Sequence, residues 1–161
     1  MTTVARLMEL FLYDPSTGDV TRRVSRGKGR AGTKVGTAHS AGYLQVRVDG
    51  GWEYVHRVAY VLMTGQYPVE HIDHKNGNPS DNRWCNLRAA THAENMQNRR
   101  KASHNTHPYK GVRKSPTAGK WLARIVVDKH EQHLGTFSSA QAAYAAYKKA
   151  ATQHHPFNTV R

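Results

Sequence analysis

The chain has 161 residues, a formal net charge of +13 and a single cysteine, Cys85. One cysteine excludes a disulfide framework and a cysteine-rich zinc scaffold, and the length allows one ordinary domain or two small ones. The net charge is +4 over residues 1–50, +1 over 51–100 and +8 over 101–161, which is typical of a polyanion-binding protein whose centre is nearly neutral.

The N-terminal segment predicts one short helix followed by a turn. Residues 4–13 have an amphipathic pattern, and DPSTGD (14–19) is rich in turn residues. The apolar run is too short for a signal peptide or a membrane span. We therefore expect a soluble, cytoplasmic protein without a membrane partner.

A basic segment, TRRVSRGKGRAGTK (21–34), comes next, with six basic residues, three glycines and no acid. Two interpretations are open: a flexible solvated loop, or an arm that follows DNA phosphates, which needs charge but little order. In the second interpretation the DNA contacts come from Arg22, Arg23, Arg26, Lys28 and Arg30.

A hairpin and a helix are predicted next. YLQVRV (43–48) alternates as a strand, DGG (49–51) forms a turn and WEYV (52–55) returns. HRVAYVLMTG (56–65) favours a helix closed by Gly65. His56, at the start of this helix, can contact a phosphate or satisfy local backbone groups, and both interpretations are open.

The polar run after this helix predicts a strand, a loop, a strand and a helix. These are EHID (70–73), KNGNPSDN (75–82), NLRAA (86–90) and THAENMQNRR (91–100). Thr91 and Glu94 have the spacing of a capping box at the start of the last helix. The order is that of a ββα unit.

This unit places Asn95, in the first turns of the helix, near the strand end that carries Asp73 and His74. A carboxylate and an amide oxygen are hard ligands for one magnesium ion. A neighbouring histidine can act as general base on a water that attacks a phosphate. The alternative is a solvated, Asn-rich loop without chemistry.

The residues Asp73-His74, Asn86-Leu87 and Asn95 resemble the motif of the HNH endonuclease family, in the subgroup of phage and intron-encoded nicking homing endonucleases. HRVAYVLMTGQYP (56–68) also resembles the segment that leads into this motif. The resemblance implies that His74 is the general base, that Asp73 and Asn95 bind the metal, and that Asn86 orients the loop after His74. It implies magnesium, for which manganese can substitute. Asn95 stands where many members have a second histidine, which favours an oxygen-bound ion over zinc.

The C-terminal third predicts a second module. MQNRRKASHNTHP (96–108) is polar and basic, which indicates a linker with a boundary near 100–107. The predicted domains are therefore a nuclease module over 1–100, a linker over 101–108 and a DNA-binding module over 109–161.

This second module predicts three strands, YKGVRKSP (109–116), KWLARIVVD (120–128) and HLGTF (133–137), and a helix over 138–153 with Ser138 and Gln141 as its capping box. Alternation in the middle strand places Ala123 and Ile125 against the helix and Arg124 on the open face, where we also expect Arg113 and Lys110. A basic sheet face of this size can enter a major groove. A small module with a solvated basic face is the alternative.

YKGVR, GKW, LGTF and SSAQAAYAAYKKAA resemble the APETALA-type (ethylene-response-factor) DNA-binding domain, over about residues 107–158. The resemblance implies base and phosphate contacts from Lys110, Arg113 and Arg124, with Lys114 nearby. His133 stands where the plant pattern has a second tryptophan, which leaves the DNA sequence that is read open.

Together these patterns predict an α+β protein in which a ββα-metal nuclease module precedes a three-stranded antiparallel sheet with one helix. The function expected is metal-dependent nicking of double-stranded DNA by a monomer, phage-encoded or intron-encoded, without a small-molecule substrate. Two alternatives are a DNA-binding regulator with an inactive HNH module and a basic RNA-binding structural protein.

Overall fold

The computed structural model describes residues 2–98, 107 and 109–158. The chain divides into two compact units, 1–95 and 96–161, and is a mixed α and β protein with four helices and small antiparallel sheets in the part described. None of these helices has the length and apolarity that a membrane crossing needs. Most of the predicted linker lies outside the described residues, so the predicted domain limits stay a prediction.

The first helix is shorter than predicted. It is α1 (Val4–Leu10), which begins after Thr3, whose hydroxyl accepts a hydrogen bond from the backbone of Arg6 at 3.2 Å. The helix stops because Phe11–Tyr13 form β1, which pairs with β2 (Val20–Arg22) across the predicted turn at 14–19. Pairing with the next strand of the chain has overridden the local helical pattern.

The prediction of little order in the basic segment is wrong for its backbone. Arg22 ends β2 and exchanges backbone hydrogen bonds with Thr33 (2.9 Å) and Gly32 (2.8 Å). Arg26 bridges to Gly29 across a short turn, and its side chain forms an ion pair with Asp49. The side chains of Arg23, Lys28 and Arg30 are at least partly exposed, and these three remain candidates for phosphate contact.

The predicted hairpin is confirmed as part of a three-stranded sheet in the order β3 (Thr37–Ala38), β4 (Leu44–Val48) and β5 (Gly51–Tyr54). Its turn consists of Asp49 and Gly50, both with positive φ (46° and 90°). The helix that follows, α2 (Val55–Thr64), ends at Gly65 as predicted. Gly65 has φ 72°, and its N–H donates to the carbonyl of Val61.

The main core of this unit lies between α1, α2 and the adjoining strands. Its largest fully buried side chains are Phe11, Leu7, Val20, Val55, Val58 and Val61. A smaller cluster of Ala59, Ile72 and Leu87 packs α2 against β6 (His71–His74) and β7 (Leu87–Ala90). These apolar contacts hold the two strands of the polar run in place beside α2.

The predicted ββα unit is present. The strands β6 and β7 are antiparallel, and a 3-10 turn at Trp84–Asn86 precedes β7. The helix α3 (His92–Asn98) begins with the predicted capping box, in which the backbone of Thr91 donates to Glu94 Oε2 at 2.7 Å and the backbone of Glu94 donates to Thr91 Oγ1 at 3.3 Å.

The second unit contains β8 (Val112–Lys114), β9 (Trp121–Val127) and β10 (His130–Phe137), in the sheet order β10-β9-β8, followed by α4 (Ala140–His154). Ala123 and Ile125 are buried against α4, which confirms the predicted faces of the middle strand. The cap of α4 is Ser139 and not Ser138, since the Ser139 hydroxyl accepts from the backbone of Ala142 at 3.1 Å.

The predicted position of Lys110 on the open face of this sheet is wrong. Gly111, with φ 72°, turns the chain before β8 begins, and a Cβ there would meet the ring of Tyr147 at 2.2 Å. Lys110 is instead partly buried, and its Nζ donates to the carbonyl of Gln97. This burial lowers the pKa of the Lys110 ammonium group.

Candidate active site

The strand β6 carries two buried polar side chains in succession. Asp73 is 5% exposed and His74 is 4% exposed. A buried polar group is costly unless it is hydrogen-bonded or paired. The partners of these two side chains therefore define the site.

Asp73 is paired with Arg88, which lies directly opposite it on β7. The Arg88 Nε donates to Asp73 Oδ2 at 2.8 Å, and Nη2 lies 2.6 Å from the same oxygen. Charge-assisted contacts of this length are among the strong hydrogen bonds of proteins. The pairing of β6 with β7 thus places the Arg88 guanidinium beside the Asp73 carboxylate.

His74 contacts Asn82, which is 3% exposed and lies at the end of the loop after β6. His74 Nε2 is 3.1 Å from Asn82 Oδ1. With Asn82 Oδ1 as the acceptor, this contact assigns the ring hydrogen to Nε2, since an amide oxygen only accepts. Burial lowers the pKa of His74, against the opposing hydrogen bond to Asn82 and the charges of Asp73 and Asp81.

The β1–β2 hairpin holds Asn82 in place. The hydroxyl of Tyr13 donates to the Asn82 carbonyl at 2.7 Å. Gly18, with φ 80°, lies so close that a Cβ there would be 2.6 Å from the Asn82 carbonyl carbon. No sequence pattern singles out Asn82, since it is one of several asparagines in the same loop.

Asn86 connects the two ends of that loop. Its Nδ2 donates to the carbonyl of Asp81 at 2.7 Å and to Asn76 Oδ1 at 3.1 Å, and its Oδ1 accepts from the backbone of Asn76 at 2.8 Å. The Asp81 carbonyl directly precedes Asn82, the partner of His74. Asn86 therefore bonds to both sides of the loop after His74, and its role in orienting that loop stays a prediction.

Asn95 is the fourth residue of α3 and is partly buried. Among residues 2–98, 107 and 109–158, no group of three or more His, Cys, Asp or Glu side chains could hold a metal ion. The predicted pair of Asp73 and Asn95 is a different donor set, one carboxylate and one amide. Two hard oxygens of this kind suit a magnesium ion that keeps most of its waters.

The structure does not support the interpretation that His56 satisfies local backbone groups. His56 is 7% exposed, and its Nδ1 has no hydrogen-bond partner within the described part of the chain. Its ring instead contacts the ring of His74, with a centroid separation of 5.1 Å. Burial, followed by the charges of His74 and Arg57, lowers the pKa of His56 to about 3.

The remaining predicted DNA-binding residues lie on the C-terminal sheet. Arg113 on β8 is exposed and lies opposite Leu122 of β9. Arg124 comes two residues after Leu122 and therefore lies on the same face of the sheet. The Arg124 guanidinium forms an ion pair with Glu131 on β10. Lys114 is exposed, but alternation in β8 places it on the side of Val112, which packs toward α4.

Comparison with known proteins adds a family match over residues 53–97, which fit the family described as HNH endonuclease. No curated protein matches the chain. The HNH homing endonuclease I-HmuI, solved in a study of its DNA binding and cleavage, aligns with 24% identity and a TM-score of 0.41 over 55% of this chain. The aligned part spans about half of that protein (51%), and a TM-score at this level does not establish a shared fold.

The family match covers α2, β6, β7 and most of α3, and so contains Asp73, His74, Asn82, Asn86 and Asn95. Residues 53–97, which carry these five side chains, are therefore similar to the HNH endonuclease family.

Proposed function

We propose that the protein is a metal-dependent endonuclease that hydrolyses a phosphodiester bond in double-stranded DNA and nicks one strand per engagement. The observation that carries this proposal is the buried imidazole of His74, held by Asn82 beside the carboxylate of Asp73. One such site in a monomer cuts one strand at a time, because each cleavage needs a base and a bound phosphate.

In this proposal His74 is the general base. Its Nδ1 lone pair takes a proton from a water, whose oxygen attacks the phosphorus as the bond to the leaving oxygen breaks. A positioned general base contributes about 10²–10⁴-fold to a rate. Asn82 fixes the ring hydrogen on Nε2, and Asn86 holds the loop that presents Asn82.

Asp73 and Asn95 would hold the divalent ion, magnesium or in its place manganese. When bound, such an ion stabilises negative charge on the scissile phosphate and on the leaving oxygen. Arg88 holds the Asp73 carboxylate at the strand and would compete with the ion for its charge.

DNA is placed by two cationic surfaces. The open face of the C-terminal sheet presents Arg113 and Arg124, in the manner of the APETALA-type domain that the sequence resembles, and two arginines there can read base edges. Arg23, Lys28 and Arg30 of the basic segment neutralise phosphates.

The test is incubation of supercoiled plasmid with the purified protein, with magnesium and with a chelator. We expect open-circular product only with the metal, and none from His74→Ala. Binding of duplex DNA without nicking by the wild-type protein would indicate the inactive regulator instead. Preference for RNA over duplex DNA, also without nicking, would indicate the RNA-binding alternative.

A further inference from the structure

His56 lies in the first turn of α2, where the main core and the site meet. Its neighbours in the helix, Val55 and Val58, are 1% and 0% exposed, so the helix cannot shift without disturbing the core. The His56 ring meets the His74 ring edge-on, at a centroid distance of 5.1 Å and an interplanar angle of 82°. An edge-to-face arrangement is one of the favoured geometries of aromatic pairs.

Two tyrosines complete this packing. Tyr54 stacks on His56 at 5.4 Å with an interplanar angle of 15°. Tyr43 contacts both imidazoles, with ring centroids 5.3 Å from His56 and 5.8 Å from His74. The His74 ring therefore packs against His56 and Tyr43, while Asn82 fixes its rotation through Nε2.

His56 contacts its neighbours through ring packing and not through a hydrogen bond at Nδ1. That nitrogen is buried and has no hydrogen-bond partner among the residues the structure describes. A ring that serves by shape should be replaceable by another flat aromatic ring, but not by a methyl group.

We infer that His56 is a positioning residue for His74, acting through the edge-on contact of the two rings. The inference rests on the proposed function, in which His74 is the general base. A displacement of about 1 Å in a reacting group can lower a rate on the order of 100-fold. Removal of the His56 ring leaves space into which His74 can tilt away from the attacking water.

The variants are His56→Ala and His56→Phe, with Val61→Ala as the matched control. Val61 is a fully buried residue of the same helix and belongs to the main core, so its truncation tests general destabilisation of α2. We expect His56→Ala to lower kcat by about 10- to 100-fold with unchanged KM for DNA. We expect His56→Phe to restore kcat to within about threefold of wild type, and Val61→Ala to leave kcat unchanged at a temperature where it is folded.

A second readout does not depend on cleavage. The ring nitrogen and proton resonances of His74, measured by NMR without metal, should report a single Nε2–H tautomer in the wild type, His56→Phe and Val61→Ala. In His56→Ala they should shift toward a mixture of tautomers. Unchanged His74 resonances in His56→Ala overturn the inference, as does a kcat in His56→Phe as low as in His56→Ala. A wild-type protein that does not cleave DNA overturns the proposed function instead, and the NMR comparison then decides the role of His56.

Discussion

Arg88 and Asp73 face each other across the β6–β7 ladder, with Nε and Nη2 of the guanidinium at 2.8 and 2.6 Å from one carboxylate oxygen. The Asp73 side chain is 7% exposed and that of Arg88 21% exposed, so the pair is largely shielded from water. A divalent ion held by Asp73 would share the charge of the carboxylate with Arg88. The pair therefore couples the stability of the fold to the proposed metal site.

We expect Arg88→Ala to lower the free energy of unfolding by about 3 kcal/mol without metal, because it removes the cation that is paired with a buried carboxylate. The same change should raise the affinity for magnesium, since the competing guanidinium is gone. Denaturant unfolding and calorimetric metal titration measure the two effects.

Arg83→Ala is the control, because the side chain of Arg83 is 51% exposed in its ion pair with Asp81. Its effect should stay below about 1 kcal/mol. Equal effects of the two variants would contradict this prediction.

His74→Ala should lower the cleavage rate by about 10²–10⁴-fold, the usual contribution of a general base, while the affinity for duplex DNA stays nearly the same. The reason is that the base acts on water and not on the duplex. Single-turnover cleavage and a binding titration separate the two quantities. His130→Ala removes an exposed histidine of the second unit and should leave both unchanged. A His74→Ala variant that cuts at the wild-type rate would remove His74 as the base.

Asp73→Ala and Asn95→Ala should each raise the magnesium concentration needed for half-maximal cleavage, or abolish cleavage. Each removes one of the two protein oxygens proposed to hold the ion. The measurement is a magnesium titration of the cleavage rate, with binding of the ion to the free protein followed by calorimetry. Titration curves that match the wild type in both variants would place the metal elsewhere.

Arg124→Ala should relax the preference for particular cleavage sites, because a bidentate contact with a guanine edge is worth about 1–3 kcal/mol of discrimination. Joint replacement of Arg23, Lys28 and Arg30 by alanine should weaken binding to all sequences and reduce the salt dependence of the affinity, by about 0.9 in log–log slope for each phosphate that is no longer neutralised. These three are preferred over Arg26, whose replacement would also break the ion pair with Asp49. A salt series on specific and random duplex measures both effects, and the opposite pattern would reverse the assignment of the two surfaces.

The pH dependence of stability should reveal the buried neutral His56. Its pKa is about 3 in the fold against 6.5 for an ordinary histidine, so its stabilising contribution is present above pH 6.5 and is lost as the pH falls toward 3. One such group changes the free energy of unfolding by about 1.4 kcal/mol per pH unit in this window, or about 2 kcal/mol from pH 6.5 to 5. Denaturant unfolding of His56→Phe should show a pH dependence smaller by that amount. Identical pH slopes in the two proteins would show that His56 does not stay neutral in the fold.

The elements with local causes can be predicted from the sequence alone. Alternation and the Asp49-Gly50 turn predict the β4–β5 hairpin, Gly65 predicts the end of α2, and the spacing of Thr91 and Glu94 predicts the start of α3. Each depends on contacts within a few residues, which a spacing rule can capture. The sequence also predicts that Asp73 and His74 lie together at one strand end, because they are consecutive residues.

The other features depend on pairing and packing between separate elements. Pairing of β1 with β2 ends α1 early, and backbone bonds to residues 32–35 give the basic segment an order that its composition does not predict. The turn at Gly111 removes Lys110 from the sheet. Tyr13 and Asn82 meet across 69 positions, and His56 reaches His74 only because α2 packs on β6. Hydrophobic burial brings these side chains together, and no residue spacing records that proximity.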